Sequence, residues 1–577
     1  MSTPPTTTPK GDRPAEPPGA PEQHGFRRVL HVTWRIVKPL GLVLIALVVL
    51  AGLVVISTLS PNSGTVKSNL NAVIPAATQT TGPIIGDQSL MASEMSCMKS
   101  YVANPANNMV NYPPSLGAPE HTDSLHTGVY PCAHFTGSLT GTNQVFKYQS
   151  ETSYDQNNLI VFDGPNNGYL LAGGSGPPSS GSFVVKFNPS TGEQVWKTPL
   201  QNVNINGGWL AFGSMAVQKD HTIAVAAGPD IWRLNPKTGD IIAAQTQPVP
   251  ASSASDANWD GFQIAPDAKG TILLKSQTRP KGCPTQGNAA MSSCQKQYGA
   301  QPNTSVVAAD PKTLKNLDAI KLNQSVTARP IVVAGPRGLT YMYLAGNSSG
   351  TRVIWNPSTQ KLSVDNTWAP KYLIKGQEGG TAPGMLGDWV IFNANANPSK
   401  TTPICVTVVN QNDVNNLHRI CPWGKKLPSG VTSSETPASV GIDPQNSMIY
   451  VQDWLVNGVY GIKLNQQTGD MKIAWSRKDW RTSDYFSLVG PANNRVLISQ
   501  YLNPDFKTSQ IAGYAWTESV LWANAATGKT IAQSAYGPST ALGSLPNVGY
   551  GGRLYMMGND GSIFIYQVEP KSSTSGS

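Results

Sequence analysis

Eight short loop segments carry the residues of this chain best suited to chemistry. They are SYDQNN with Asp155, NINGGW with Asn206 and Trp209, NWDGF with Trp259 and Asp260, TARP with Arg329, GQEGG with Glu378, SSETP with Glu435, TSDYF with Asp484 and Tyr485, and LPNVG with Asn547. Together they hold five carboxylates, one guanidinium and several aromatic rings. Polar groups beside aromatic faces suit a sugar, a cation or a basic peptide. Two carboxyls held about 5–10 Å apart can also run acid–base glycoside chemistry. The same residues serve equally well to cap strand ends and solvate a channel. Any joint role demands a fold that returns the chain to one place eight times.

Other chemistries lack their motifs. GxSxG, HExxH and Walker A patterns are missing. His24, His31, His121, His126 and His134 all precede the first repeat described below. Of the remaining two, His221 sits in a KDHT turn and His418 lies near Cys421, and both read as surface residues. No metal site is expected. No dense Lys/Arg run with interleaved aromatics occurs, so nucleic-acid binding is not expected.

The positioning elements show in a recurring turn. FNPSTGEQVW at 187–196 returns as LNPKTGDIIA at 234–243. Asn binds the backbone that follows it, Pro presets φ, and Gly accepts positive φ. Related turns are DPKTL (310–314), NPSTQ (356–360), NQND (410–413), NQQTG (465–469) and NAATG (524–528). Markers at 191, 238, 313, 359, 413, 468 and 527 give a blade-sized period. Three short apolar strands lead into each turn and a fourth leaves it, which is one propeller blade. A Trp at the end of such a strand can wedge between blades. RLYMMGND and GSIFIYQVEP (553–570) form half a blade, while TGTNQVFKYQSE (140–151) is a strand without one. Pairing them closes the ring and removes open sheet edges. The expected fold is therefore all-β, an eight-bladed β-propeller closed by an N-terminal strand, with seven blades as the alternative count.

Composition agrees with an exported, turn-rich protein. Charged residues are 13% of 577, with 55 Gly and 46 Pro, against about 25% charged in an average soluble domain. The net charge is +9, of which residues 1–38 carry +3. The excess on the remainder could favour anionic envelope polymers or be a scattered, solvated surface.

Residues 39–59 contain no charge and span roughly 30 Å as a helix, enough for one bilayer crossing. Arg27, Arg28, Arg35 and Lys38 precede them, which places the N-terminus in the cytoplasm and the rest outside. No good cleavage site follows, so an uncleaved anchor is expected over a signal peptide. All six cysteines follow the anchor, consistent with that sidedness. Proximity suggests Cys97 with Cys132, Cys283 with Cys294 and Cys405 with Cys421, among fifteen possible pairings. The chain then divides into a disordered Pro/Thr-rich cytoplasmic tail (1–35), a transmembrane anchor (36–59) and a polar stalk (60–90). A disulfide-containing segment (91–139), the propeller (140–570) and a disordered C-terminal tail (571–577) follow.

The repeat resembles the PQQ-like family of eight-bladed propellers, which includes quinoprotein alcohol dehydrogenases and the propeller lipoprotein of the outer-membrane assembly machine. That family's repeat ends A-x-D-x-x-T-G-K-x-x-W. KFNPSTGEQVW (186–196) matches at Asn188 for Asp, Thr191, Gly192, Glu193 for Lys, and Trp196. Later copies decay, with Ala243, Ile473 and Ala532 at the tryptophan phase. For a catalytic member the resemblance implies a quinone beside adjacent cysteines, Ca²⁺ held by Glu, Asn and Asp, and a catalytic Asp. No two cysteines are adjacent here. The expectation is a non-catalytic scaffold, without cofactor, that binds an envelope protein or glycan. A PQQ-dependent dehydrogenase using PQQ and Ca²⁺ is the alternative, and a glycan-cleaving hydrolase a further one. The expected ligand-contacting residues at the channel mouth are Asp155, Asn206, Trp259, Asp260, Arg329, Glu378, Glu435 and Asp484.

Overall fold

The computed structural model describes residues 78–79, 82–154, 159–173, 182–200, 213–248, 257–278, 301–379, 381–396, 402–429, 431, 434–436, 438–507, 509–510, 515–540 and 544–571. The expected tail (1–35), anchor (36–59), most of the stalk, Asp155, Asn206, Trp209, Cys283 and Cys294 lie outside them. Among the described residues no helix is long and apolar enough to cross a membrane.

Eight antiparallel sheets make the propeller. Blades 1 to 7 span 159–199, 214–246, 257–321, 331–364, 377–420, 441–477 and 487–538. Blade 8 joins Asn547–Val548, Leu554–Met557 and Ser562–Pro570 to the N-terminal strand Asn143–Ser153. That strand runs antiparallel to the last one, from Asn143 opposite Pro570 to Gln149 opposite Phe564, and resumes at Ser153 opposite Ser562. The ring therefore closes as the repeat count requires, with eight blades.

Burial explains the strand sequences. Inner strands such as Ser214–Val217 and Ile223–Ala227 are buried at every residue because a blade packs on both faces. The outermost strand Gln194–Pro199 instead is exposed or half-buried at every position and alternates from Val195 onward.

The repeated turn uses the chemistry its residues promise. The side-chain oxygens of Asn188, Asn235, Asp310, Asn356, Asn410, Asn465 and Asn524 each accept the amide two residues on. Gly192, Gly239, Gly469 and Gly528 take φ of 69–82°. Where Gly is missing, Leu314 (φ 60°) and Gln360 (φ 53°) hold the same left-handed conformation.

These turns are also docking sites. Trp196 Nε1 donates to Pro236 O of the next blade's turn (3.3 Å), and its ring lies so near Gly239 that a Cβ there would be 2.8 Å away. Trp389 docks likewise on Gln466 O and Gly469, and Trp475 on Ala525 O and Gly528. Periodicity missed the last two. Trp475 lies two residues past the expected Ile473, and Trp389 comes from a different strand of its blade.

Ahead of the ring, the helix α1 (Gln88–Ala103) is capped by Asp87 and buries Met91, Glu94 and Met98. Glu94 accepts from Gly551 N (2.8 Å) and His134 N (3.2 Å), which seats α1 on blade 8. The expected stalk thus ends earlier than residue 90: Ile84 is buried, and Asp87 N donates to Gly551 O. Thr78–Gln79 pairs parallel to Phe146 and Lys147. The disulfides Cys97–Cys132 and Cys405–Cys421 are present, and no described cysteine is free.

Candidate functional site

Residues 105–134 carry only two charges, Glu120 and Asp123, and the periodicity treats them as a lead-in. They are the interior of the ring. Gly117 O accepts from Phe162 N of blade 1, and Ala118 O from Val217 N of blade 2. Asn111 Nδ2 donates to Ala265 O of blade 3, and Ser124 O accepts from Val332 N of blade 4. Leu125 packs into the cluster of blades 4 and 5. Thr127 O and Gly128 O accept from Ile442 N of blade 6 and Leu488 N of blade 7, while Leu116 N donates to Tyr550 Oη of blade 8. A segment bonded or packed to all eight innermost regions lies along the central channel. The low charge of the stretch was the one available signal.

Beside this segment two ion pairs form within the chain. Arg329 Nε lies 2.8 Å from Glu120 Oε1, and Lys275 Nζ lies 2.7 Å from Asp260 Oδ1. Arg329 also donates to Gly213 O (2.8 Å) and Asp260 O (3.3 Å). Burial pushes Glu120 up to about 7 although Arg329 and Ser214 pull it down. Asp123 is raised to about 6 by burial, against hydrogen bonds from Thr127. Burial lowers His126 to about 3 and His121 well below its usual value, so both rings are neutral. His121 packs against Tyr485 at 4.3 Å and His126 at 4.7 Å between ring centroids. Nδ1 of both histidines is buried without a partner among the described residues.

The remaining candidates fall into separate groups rather than one open mouth. Trp259 is fully buried in the cluster between blades 2 and 3. Asp484 is buried, accepts from Ser544 N (3.1 Å) and is held neutral by burial and by Glu518. Glu518 Oε2 accepts from Trp516 Nε1 (2.9 Å). Asn547 is buried and donates to Leu545 O (2.7 Å).

A third group joins blades 5 and 6. Burial, then Asp453 and Glu378, push Glu435 up to about 7. Asp453 is raised to about 6 by burial, although it accepts from Leu455 N and Val456 N (2.9 Å each). Glu378 is raised by burial. Beside them Trp454, Phe506 and Trp516 form an aromatic cluster, with the Arg481 guanidinium 4.8 Å from the Phe506 centroid. Such a group can exchange protons near neutrality next to a buried aromatic cluster.

A quinone with Ca²⁺ on the axis needs carboxylates free to ligate. Of the axial ones described here, Glu120 and Asp260 already face Arg329 and Lys275, Asp123 already accepts from Leu125 N and Thr127 N, and the chain's own backbone runs alongside. The described axial residues do not fit that group.

Eight closed blades, with tryptophans docked on neighbouring turns, define a β-propeller of the architecture seen in quinoprotein alcohol dehydrogenases. The quinohemoprotein alcohol dehydrogenase of Comamonas testosteroni shares the fold over 85% of this chain and 86% of its own, at 12% identity and a TM-score of 0.51. A europium-containing methanol dehydrogenase matches over 80% and 91% of the two chains, at 12% identity and 0.46. BamB from Moraxella catarrhalis matches over 77% and 97%, at 13% identity and 0.35. No family model and no curated protein matches the sequence. At 12% identity, the likeness to the Comamonas testosteroni enzyme shows a shared fold and leaves activity to be argued from the site.

Proposed function

We propose that this chain is a single-pass membrane protein whose extracytoplasmic propeller binds a partner protein or a cell-envelope glycan and serves as a scaffold. The observation that carries the reading is the matched interior. The channel is lined by the chain's own segment, and Glu120 and Asp260 there are paired with Arg329 and Lys275. Outer surfaces and loops are then the places left for recognition. The charge-free stretch 39–59, the basic residues before it and the cysteines after it support the anchor and its sidedness.

The test is binding by the full chain in detergent to an envelope-glycan array, with capture of envelope proteins in parallel. Specific, saturable binding without product release is the expected result. Reconstitution with PQQ and Ca²⁺ that yields a bound, absorbing quinone and dye reduction would overturn it.

One observation favours a second reading. Glu435, raised to about 7 beside Asp453 and Glu378, has the protonation range of a general acid. Product analysis after glycan incubation decides this reading: cleavage abolished by Glu435→Gln supports hydrolysis, and unchanged glycan rejects it.

A further inference from the structure

A cleft of about 530 Å³ opens at the seam of blades 2 and 3, walled by Asn111 of the inserted segment. Three tight turns present one exposed lysine each to it: Lys219, Lys269 and Lys312. Among the described residues no carboxylate lies within 4 Å of these three ammonium groups, whereas Lys275 and Lys361 have such partners.

The two acidic residues at the cleft are already engaged. Asp220 pairs with Arg233. Asp310 Oδ1 accepts from Lys312 N (3.0 Å), Thr313 N (2.8 Å) and Thr313 Oγ1 (3.0 Å). Asp310 stays ionised and faces Lys269, so Lys219, Lys269, Lys312 and Arg233 against Asp220 and Asp310 leave the cleft with a net positive excess.

The turns are rigidly set. Gln218 Nε2 donates to Pro311 O (3.0 Å) and Arg233 Nη1 to Lys312 O (3.4 Å), which staples the two blades. Lys219 N donates to Asn111 O (3.0 Å). Asp267 Oδ1 gathers the amides of Lys269, Gly270 and Thr271 at 2.7–3.1 Å. Gly270 (φ +72°) lies so close to Asn111 that a Cβ would fall 3.2 Å from its Cγ. The lysine stems are flexible, but their bases are fixed around one concave space.

We infer that this cleft binds an anionic glycan chain, whose repeating carboxylate or phosphodiester groups are met by Lys219, Lys269 and Lys312. The inference rests on the envelope-binding reading and names its ligand class and location. A repeating anion fits better than a single small one, because three separate turns each offer one charge.

The experiment measures binding of the full chain in detergent to oligogalacturonate, to glycerol-phosphate oligomers and to neutral dextran. Binding to one or both anionic probes and not to dextran, weakening as salt rises, is expected. The two anionic arms separate a carboxylate from a phosphodiester ligand. The triple variant K219A/K269A/K312A should lose about tenfold or more in affinity with its melting temperature unchanged. The exposed lysines Lys472, Lys478 and Lys529, on blades 6 and 7, supply a charge-matched control triple to Ala, which should retain binding. Equal loss in both triples, or none in the first, overturns the assignment. If the first triple still binds glycans like the wild type, only the cleft falls and the envelope-binding reading stands. If the wild type binds no glycan, charged or neutral, the cleft falls as well, and capture of a protein partner then decides the broader reading.

Discussion

Arg329, on the loop entering blade 4, sets its Nε 2.8 Å from Oε1 of Glu120, on the segment threaded through the ring. Glu120 is buried (side chain 2% exposed) and Arg329 is half-buried (17%). Removing one partner leaves the other charge without compensation. Arg329→Met is expected to destabilise the protein by about 3–5 kcal/mol at pH 8, where the Glu120 carboxyl it faces is ionised. Adding Glu120→Gln to that variant should recover part of the loss. Thermal melts of the single and double variants against wild type check this, and no recovery in the double variant would contradict a direct pair.

Gly128 has φ +74°, and a Cβ there would meet Phe486 O at 2.4 Å. That carbonyl is backbone and cannot swing away. Gly128→Ala should therefore cost about 2 kcal/mol or more, from strain and from lost contact with blade 7. Hydrogen exchange should show faster opening at Leu488, whose amide donates to Gly128 O. Wild-type protection in the variant would refute the arrangement.

Glu435 makes stability depend on pH in a stated direction. Its folded value of about 7 lies above the ordinary 4.5. A raised value means the stabilising contribution is complete below about 4.5 and is lost as pH climbs through 7. Glu435→Gln should melt higher than wild type at pH 8, by on the order of 1–3 kcal/mol, and equally at pH 5. Asp453 and Glu378 face this group, and Arg481 faces Asp453. Asp453, Glu120 and Asp123, also raised, keep a residual trend of the same sign in the variant, while the lowered His121 and His126 act oppositely. A melting difference independent of pH would reject the assignment.

Gln360 holds φ 53° at the turn position where four sister turns have Gly. Gln360→Gly should relieve that strain and stabilise the protein by about 0.5–1 kcal/mol, after the entropy cost of Gly. Leu314, equivalent in blade 3, is fully buried. There the same change removes packing and should destabilise by several times as much, about 2–5 kcal/mol. A chemical-denaturation pair comparing the two variants reads the opposite signs.

The local parts of this protein were legible from residue order. Asn188 and its six counterparts bind the amide two residues on because that bond needs only its own turn. The period of those turns counts the blades, and the unmatched strands at 143–153 and 553–570 can satisfy their edges only by meeting. Trp196 announced the docking contact, whereas Trp389 and Trp475 make it from positions that break the phase, since the receiving surface requires an indole and not a fixed spacing.

What only the tertiary structure decided is what fills the ring and which charges meet. Residues 105–134 have no repeat and no strand pattern, and their low charge alone does not say that they enter the channel. They do so because eight buried inner strands leave amides and apolar side chains facing the axis, and a nearly uncharged segment can satisfy them. Likewise Asp260, Arg329, Glu378, Glu435 and Asp484 look alike as loop residues. Burial and neighbours then separate them into an ion-pair network, a group of acids raised together by burial and mutual repulsion, and a deeply buried acid raised beside Glu518, because desolvation and Coulomb energy depend on three-dimensional surroundings and not on residue order.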